Sequence, residues 1–413
     1  MHRWTRWSGA LACLAAAATA HAQSCRLQTQ TLDLPLVSKN MPKYAYQVRV
    51  QVGAAAASTN PAAASHVLEV DTGSTGVVVP LSAAIQPAWD ASTKLGYIFY
   101  SSNSQYHPGK YVQVPMRLGV SADGKRAAAR IDSIEVLAAQ CSCGVAAIAK
   151  GTPAGAVKTL SQAPDSCAAY DNTLALSSGG TQLLQHCTTI APDFGMMGVG
   201  YDRGVPAARN PFLNLAQMHA GSMSPGYIVS ASGITLGVSE QALHGFSLIP
   251  LQRAAASAGA DWQAPNACAS FPASGSDYQV CGKLLPDTGI NYMMLTPTRQ
   301  PPVPDRLQQK IIAPAKPAGT GSGRASSTTA LVVPEATQIA LAVGPAGDPV
   351  FSYDFKVGGA TPATPDSVQW RGPLDAPPAH INSGRHILAA ADYAYDAACG
   401  RAGFRPVPAP AIP

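Results

Sequence analysis

Strict alternation marks the first ordered stretch of the chain. Residues 44–52 read YAYQVRVQV, and a period of two predicts a strand with one buried face. A second strand is expected over 66–70, ending at Asp71. YVQVPMRLGV (111–120), the turn Ala122-Asp123-Gly124-Lys125 and ARIDSIEVL (129–137) predict a hairpin. PGYIVSASGITLGVS (225–239) gives two short strands around a Ser-Gly turn. FSLIPLQ (246–252) opens a second cycle, which runs through QVCGKLLPDTGINYMML (279–295) and closes with DYAYD and RAGFRP (392–406). Residues 150–190 are rich in Ser, Gly and Ala without periodicity and predict a long loop, and 313–327 reads as a soft connecting stretch. No helical period persists beyond about three turns. The expected fold class is all-β, mostly strands with short helices, in two halves: residues 23–240 and 241–413.

Composition agrees with that picture. Only 12% of residues are charged, 46% are hydrophobic, and 37 Gly with 35 Pro supply many turns. The net charge of +5 is not gathered into a Lys/Arg stripe, which argues against a nucleic-acid partner. The first residues, MHRWTRWSGALACLAAAATAHAQ, combine Arg3 and Arg6, a short Ala/Leu run and Ala20-His21-Ala22. They predict a signal peptide over 1–22, cut after Ala22, because the apolar run is too short to span a bilayer. Lipid attachment at Cys13 is disfavoured, since the apolar run before it is short. The expectation is a periplasmic or secreted protein, with no membrane association after cleavage.

Export changes the reading of the cysteines. Apart from Cys13 there are eight: Cys25, Cys141, Cys143, Cys167, Cys187, Cys268, Cys281 and Cys399. An even set predicts disulfides and leaves their connectivity open. Zinc at Cys141, Cys143, His186 and Cys187 lacks the usual ligand spacing, so no metal or other cofactor is expected.

Two segments carry candidate chemistry. LEVDTGSTGVVVP (68–80) places Asp71 between apolar runs, followed by Thr72, Gly73 and Ser74. LLPDTGINYMML (284–295) repeats the setting around Asp287, Thr288 and Gly289. Duplication implies two equivalent units, and a pseudo-twofold axis between them would bring both aspartates together.

In these motifs the chain resembles the pepsin-like aspartic proteases, over most of its length. DFGMMGVG (193–200) resembles the apolar segment that braces the first active-site loop, and INSGRHILAAADYAYDAACGRAGF (381–404) the closing block of the second lobe. The resemblance implies a bilobal fold and an aspartic endopeptidase, with Asp71 and Asp287 catalytic. Thr72 and Thr288 would cross-link the two loops, Gly73 and Gly289 would allow close approach, and Ser74 would hydrogen-bond the outer oxygen of Asp71. A flap tyrosine is expected, Tyr100 first and Tyr106 second. The implied partner is a polypeptide bound in extended conformation by a monomer.

Three departures stand out. Ile290 replaces the usual Ser or Thr, so Asp287 is expected to lack its outer hydrogen bond. The second bracing segment, Asn382-Ser383-Gly384, is polar where the family is apolar. The leader before Tyr44 is short, so no zymogen stage is expected.

Competing signals are weaker. Residues 119–126 nearly spell a phosphate loop but carry Arg126 where a hydroxyl must meet magnesium, and Asp-Gly suits a hairpin turn. Residues 198–204 miss the dinucleotide spacing by one, and no serine-hydrolase elbow or zinc-protease motif occurs. His66 and His386 read as structural. The alternative function is a catalytically weak or inactive pepsin-like protein that binds or inhibits.

Overall fold

The computed structural model describes residues 25–38, 43–57, 65–100, 104–147, 162–177, 180–255, 262–272, 278–312, 329–375 and 378–407. The expected signal peptide, Cys13 and the 313–327 stretch lie outside the described residues.

The protein is mostly β, and the described residues form sheets of ten, nine and six strands. Two of them contain the same five-strand arrangement. In the ten-stranded sheet, β1 (Gln47–Val52), β2 (His66–Asp71), β3 (Thr75–Pro80), β4 (Ala129–Ala139) and β5 (Met196–Val199) stand in the order β1-β2-β5-β3-β4. β5 is inserted between β2 and β3, parallel to the former and antiparallel to the latter, and β3 pairs in parallel with β4. In the nine-stranded sheet, β6 (Asn266–Ser270), β7 (Gln279–Leu285), β8 (Met293–Thr296), β9 (Val368–Trp370) and β10 (Ala379–Asn382) stand as β6-β7-β10-β8-β9. Strand directions match the first set throughout. Each Asp-Thr-Gly turn therefore leaves one strand and re-enters the sheet with another strand seated between.

Periodicity explains why these segments are strands. Val48, Val50, Leu68 and Val70 are fully buried, on alternate positions of β1 and β2. The predicted hairpin joins Gln105–Leu118 to β4 in antiparallel register, and Gly124 takes the left-handed conformation that its turn requires (φ +71°). Residues 119–126 are thus a turn, closed by Ser121 N–H donating to the Arg126 carbonyl at 2.9 Å.

One expectation is corrected. Within 150–190, Gly180–Thr189 is a ten-residue strand, paired with Cys141–Ala147 and Leu174–Ser177. It lacks a clear period because it lies near the sheet edge and buries few apolar side chains, among them Leu184 and Cys187. A disulfide holds it there instead, Cys143–Cys187, while Cys141–Cys167 ties the neighbouring strand to the segment before it. The thiols of the zinc reading are consumed in these bonds. Cys268–Cys281 crosses β6 and β7, and Cys25–Cys399 ties the start of the described chain to its end.

The six-stranded sheet draws on both halves. Leu32–Asp33, Ser224–Ser230 and Gly233–Val238 join Ser247–Pro250, Ala391–Asp396 and Arg401–Pro406. Tyr227 and Tyr395, both fully buried, pack edge to face across it at 5.6 Å. The helices are short among the described residues: Ala54–Ala57, Gln86–Ala91 and Ala216–His219. None of the described helices is long and apolar enough to cross a membrane.

Candidate active site

The Asp-Thr-Gly turns meet where the two halves abut. The contact is reciprocal. Thr72 N–H donates to Thr288 Oγ1 and Thr288 N–H to Thr72 Oγ1, each at 3.0 Å. Each hydroxyl then donates onward, Thr288 to the Val70 carbonyl at 2.7 Å and Thr72 to the Pro286 carbonyl. Three polar groups from each turn are therefore satisfied by the other turn, through four hydrogen bonds, as burial requires. The pattern has twofold symmetry, and it fixes the aspartates that precede the threonines.

Asp71 and Asp287 are each only 6% exposed, and their carboxyls lie in hydrogen-bonding contact. Gly73 N–H donates to Asp71 Oδ1 at 2.6 Å, and Gly289 N–H to Asp287 Oδ1 at 2.8 Å. The glycines are needed for close approach. A Cβ on Gly73 would stand 2.4 Å from the Asp287 carboxyl, and one on Gly289 2.6 Å from Asp71 Oδ1. Burial first, and then the Asp287 charge, push Asp71 well above the ordinary carboxylate range, against the lowering donors Ser74 and Gly73.

The outer oxygens are served differently. Ser74 Oγ donates to Asp71 Oδ2 at 2.5 Å. Ile290, at the equivalent place in the second turn, is buried and has no polar atom to offer. Asp287 is nonetheless not short of a donor, which corrects the sequence expectation. Asn382, the last residue of β10, donates from Nδ2 to Asp287 Oδ2 at 2.6 Å. The polar bracing segment and the apolar turn, separate departures in the sequence, are one feature in space.

Arg385 was given no role by sequence reasoning. It follows Gly384 in a short 3-10 turn (Arg385–Ala389), is buried, and donates from Nε to the Ile290 carbonyl at 3.2 Å. Burial lowers its pKa, while Glu69, Asp287, Asp366 and Asp71 work to hold it charged. Nothing in the local sequence marks it as buried. His386 Nδ1 lies 2.7 Å from the Pro362 carbonyl, a structural contact away from the dyad.

The tyrosines separate. Tyr100 ends the strand Leu95–Tyr100, and residues 101–103 lie outside the described residues. Its hydroxyl is buried without a hydrogen-bond partner, and burial, Asp71 and Glu69 push its pKa up. Tyr106 pairs with Phe99 across the hairpin and so takes the opposite face. It stacks on Tyr97 at 4.7 Å and packs among Cys141, Cys143 and Cys187, which makes it a core residue.

No family model matches the chain, and no curated protein does. Among solved structures it is similar to an aspartic proteinase from Irpex lacteus, with 12% identity and a TM-score of 0.46. The match covers 92% of this chain and 98% of that one. Likeness of that order transfers neither residues nor activity.

Proposed function

We propose that the protein is an exported aspartic endopeptidase, with lobes over 23–240 and 241–413, in which Asp71 and Asp287 activate water for peptide-bond hydrolysis. The observation that carries this reading is the buried carboxyl pair, supplied by reciprocal turns and held by donors on every side. Two carboxyls in contact cannot both ionise readily, so the pair keeps one proton over a wide pH range. One carboxylate then takes a proton from a water held between them, and the resulting hydroxide adds to the scissile carbonyl. The other carboxyl donates its proton to the carbonyl oxygen, giving a tetrahedral diol. Proton transfer to the leaving nitrogen lets the C–N bond break, yielding a carboxylic acid and an amine. No covalent enzyme intermediate arises.

The substrate is an extended polypeptide that pairs its backbone with strand edges. Tyr100, close enough to Asp71 to feel its charge, is the flap residue that shields the reacting centre. Export after cleavage at Ala22 supplies an oxidising compartment, compatible with the four disulfides.

The test is cleavage of an unfolded protein across a pH series, with and without pepstatin. Pepstatin-sensitive cleavage strongest at acidic pH is expected. Absence of cleavage at every pH, with capture of the unfolded chain instead, overturns the reading in favour of a binding protein.

A further inference from the structure

We propose that Asn382 is the positioning residue for Asp287, supplying from the inserted strand the donor that the second turn lacks. This rests on the aspartic-peptidase reading above. The two halves show an exchange of residue types. In the first, the turn carries a hydroxyl, Ser74, and the inserted strand an apolar residue, Met196. In the second, the turn carries Ile290 and the inserted strand Asn382.

The positions correspond by register. Met196 pairs with Glu69, two residues before Asp71, and with Val78, seven after it. Asn382 pairs with Leu285, two before Asp287, and with Met294, seven after it. Donor and apolar side chain have traded places around one carboxylate.

The amide does something a hydroxyl does not. Asn382 Oδ1 accepts the Gly384 N–H at 3.0 Å, which fixes the amide so that Nδ2 faces Asp287. An amide nitrogen only donates. The outer oxygen of Asp287 therefore accepts in every state of the pair, and a proton on it is disfavoured, because a carboxyl O–H oxygen is a weaker acceptor than a carboxylate oxygen. On Asp71 the inner oxygen accepts the Gly73 N–H, but Ser74 can donate or accept, so the outer oxygen is free to hold the proton. With Gly289 N–H on its inner oxygen and Asn382 on its outer one, Asp287 favours the carboxylate, and Asn382 steers the proton toward Asp71.

Other charged and titratable groups face the pair. Arg385 and Tyr292 face Asp287, Tyr100 faces Asp71, and Glu69 and Asp366 face Arg385. None is altered by exchange at 290 and 382.

The experiment compares Asn382→Met, Ile290→Ser and the double variant, which rebuilds the first half's arrangement in the second. It has two readouts: kcat and KM over pH on an unfolded protein, and carboxyl titration of the pair by NMR with 13C-labelled aspartate, which needs no turnover. Asn382→Met is expected to lower kcat about tenfold, with KM nearly unchanged, because a hydrogen bond to a charged group is lost. Without that donor the carboxylate form is less favoured, so the acid limb and the NMR titration move up by about one pH unit. The double variant should recover most of both changes, and Ile290→Ser alone should do little.

Unchanged kcat and titration in Asn382→Met, or a folded double variant as impaired as the single, overturns the proposal. If Asn382→Met does not fold, Asn382→Asp serves, since it keeps an acceptor for Gly384. It should raise the acid limb, and an unchanged profile overturns the proposal. A wild type that cleaves nothing, with a titration that shifts and is restored as described, leaves the role of Asn382 standing and removes the peptidase reading.

Discussion

Replacing Thr288 by valine keeps the side chain's shape and removes the hydroxyl that joins the two turns. Thr288 Oγ1 accepts the Thr72 N–H at 3.0 Å and donates to the Val70 carbonyl at 2.7 Å, in a site only 2% exposed. Valine leaves a buried N–H without this acceptor, costing about 1–3 kcal/mol, and forfeits a second hydrogen bond worth about 1 kcal/mol. The expected loss is about 2–4 kcal/mol. Thr288→Ser keeps both hydrogen bonds and loses one methyl, for about 1 kcal/mol. Equilibrium urea unfolding reads the difference from midpoints at a common slope. Because the network is reciprocal, Thr72→Val should cost a similar amount, and the double variant should cost less than the sum of the two. A Thr288→Val protein within about 0.5 kcal/mol of wild type, below the cost of a lost buried hydrogen bond, would show that this hydroxyl does not hold the turns together. So would a serine variant as unstable as the valine one.

Three more outcomes are expected. Gly289→Ala puts a Cβ 2.6 Å from Asp71 Oδ1 and should abolish turnover while the chain still folds, as checked by circular dichroism alongside activity. Arg385→Gln removes a cation that favours the ionised pair, so both limbs of the pH–rate profile should move to higher pH; a shift to lower pH contradicts the placement of its charge. Asp71 is raised above its ordinary 3.8 in the folded protein, so its stabilising contribution is full below that value and is lost as pH rises through the folded pKa. Stability of Asp71→Asn should therefore fall less steeply with rising pH than that of the wild type, as measured by urea unfolding at several pH values.

Much of the fold was legible because alternation is a local signal. YAYQVRVQV, ARIDSIEVL and RAGFRP carry it in single stretches, and each coincides largely with a strand of the structure. Gly180–Thr189 carries no such signal, since the Cys143–Cys187 disulfide and neighbouring strands hold it in place of a buried apolar stripe. The candidate site was legible through repetition: two Asp-Thr-Gly turns are visible wherever they fall along the chain. The outer donor of Asp287 was not legible. Ile290 and Asn382 are far apart in sequence, and only the pairing of β10 between β7 and β8 brings the asparagine to the carboxylate. Arg385 was hidden for a related reason, since nothing local tells a buried arginine from an exposed one. The tyrosines were separable only once Tyr106 was seen opposite Phe99, on the face away from Tyr100.

On the proposed function, Asp71 and Asp287 act as one proton-sharing unit on water. That proposal is tested most directly by hydrolysis of an unfolded protein at the wild type's best pH, comparing wild type with Asp71→Asn and with Asp287→Asn. Each variant keeps the side chain's shape and removes one member of the pair, so each alone should abolish cleavage. Cleavage by either variant at a rate comparable to wild type would contradict the account.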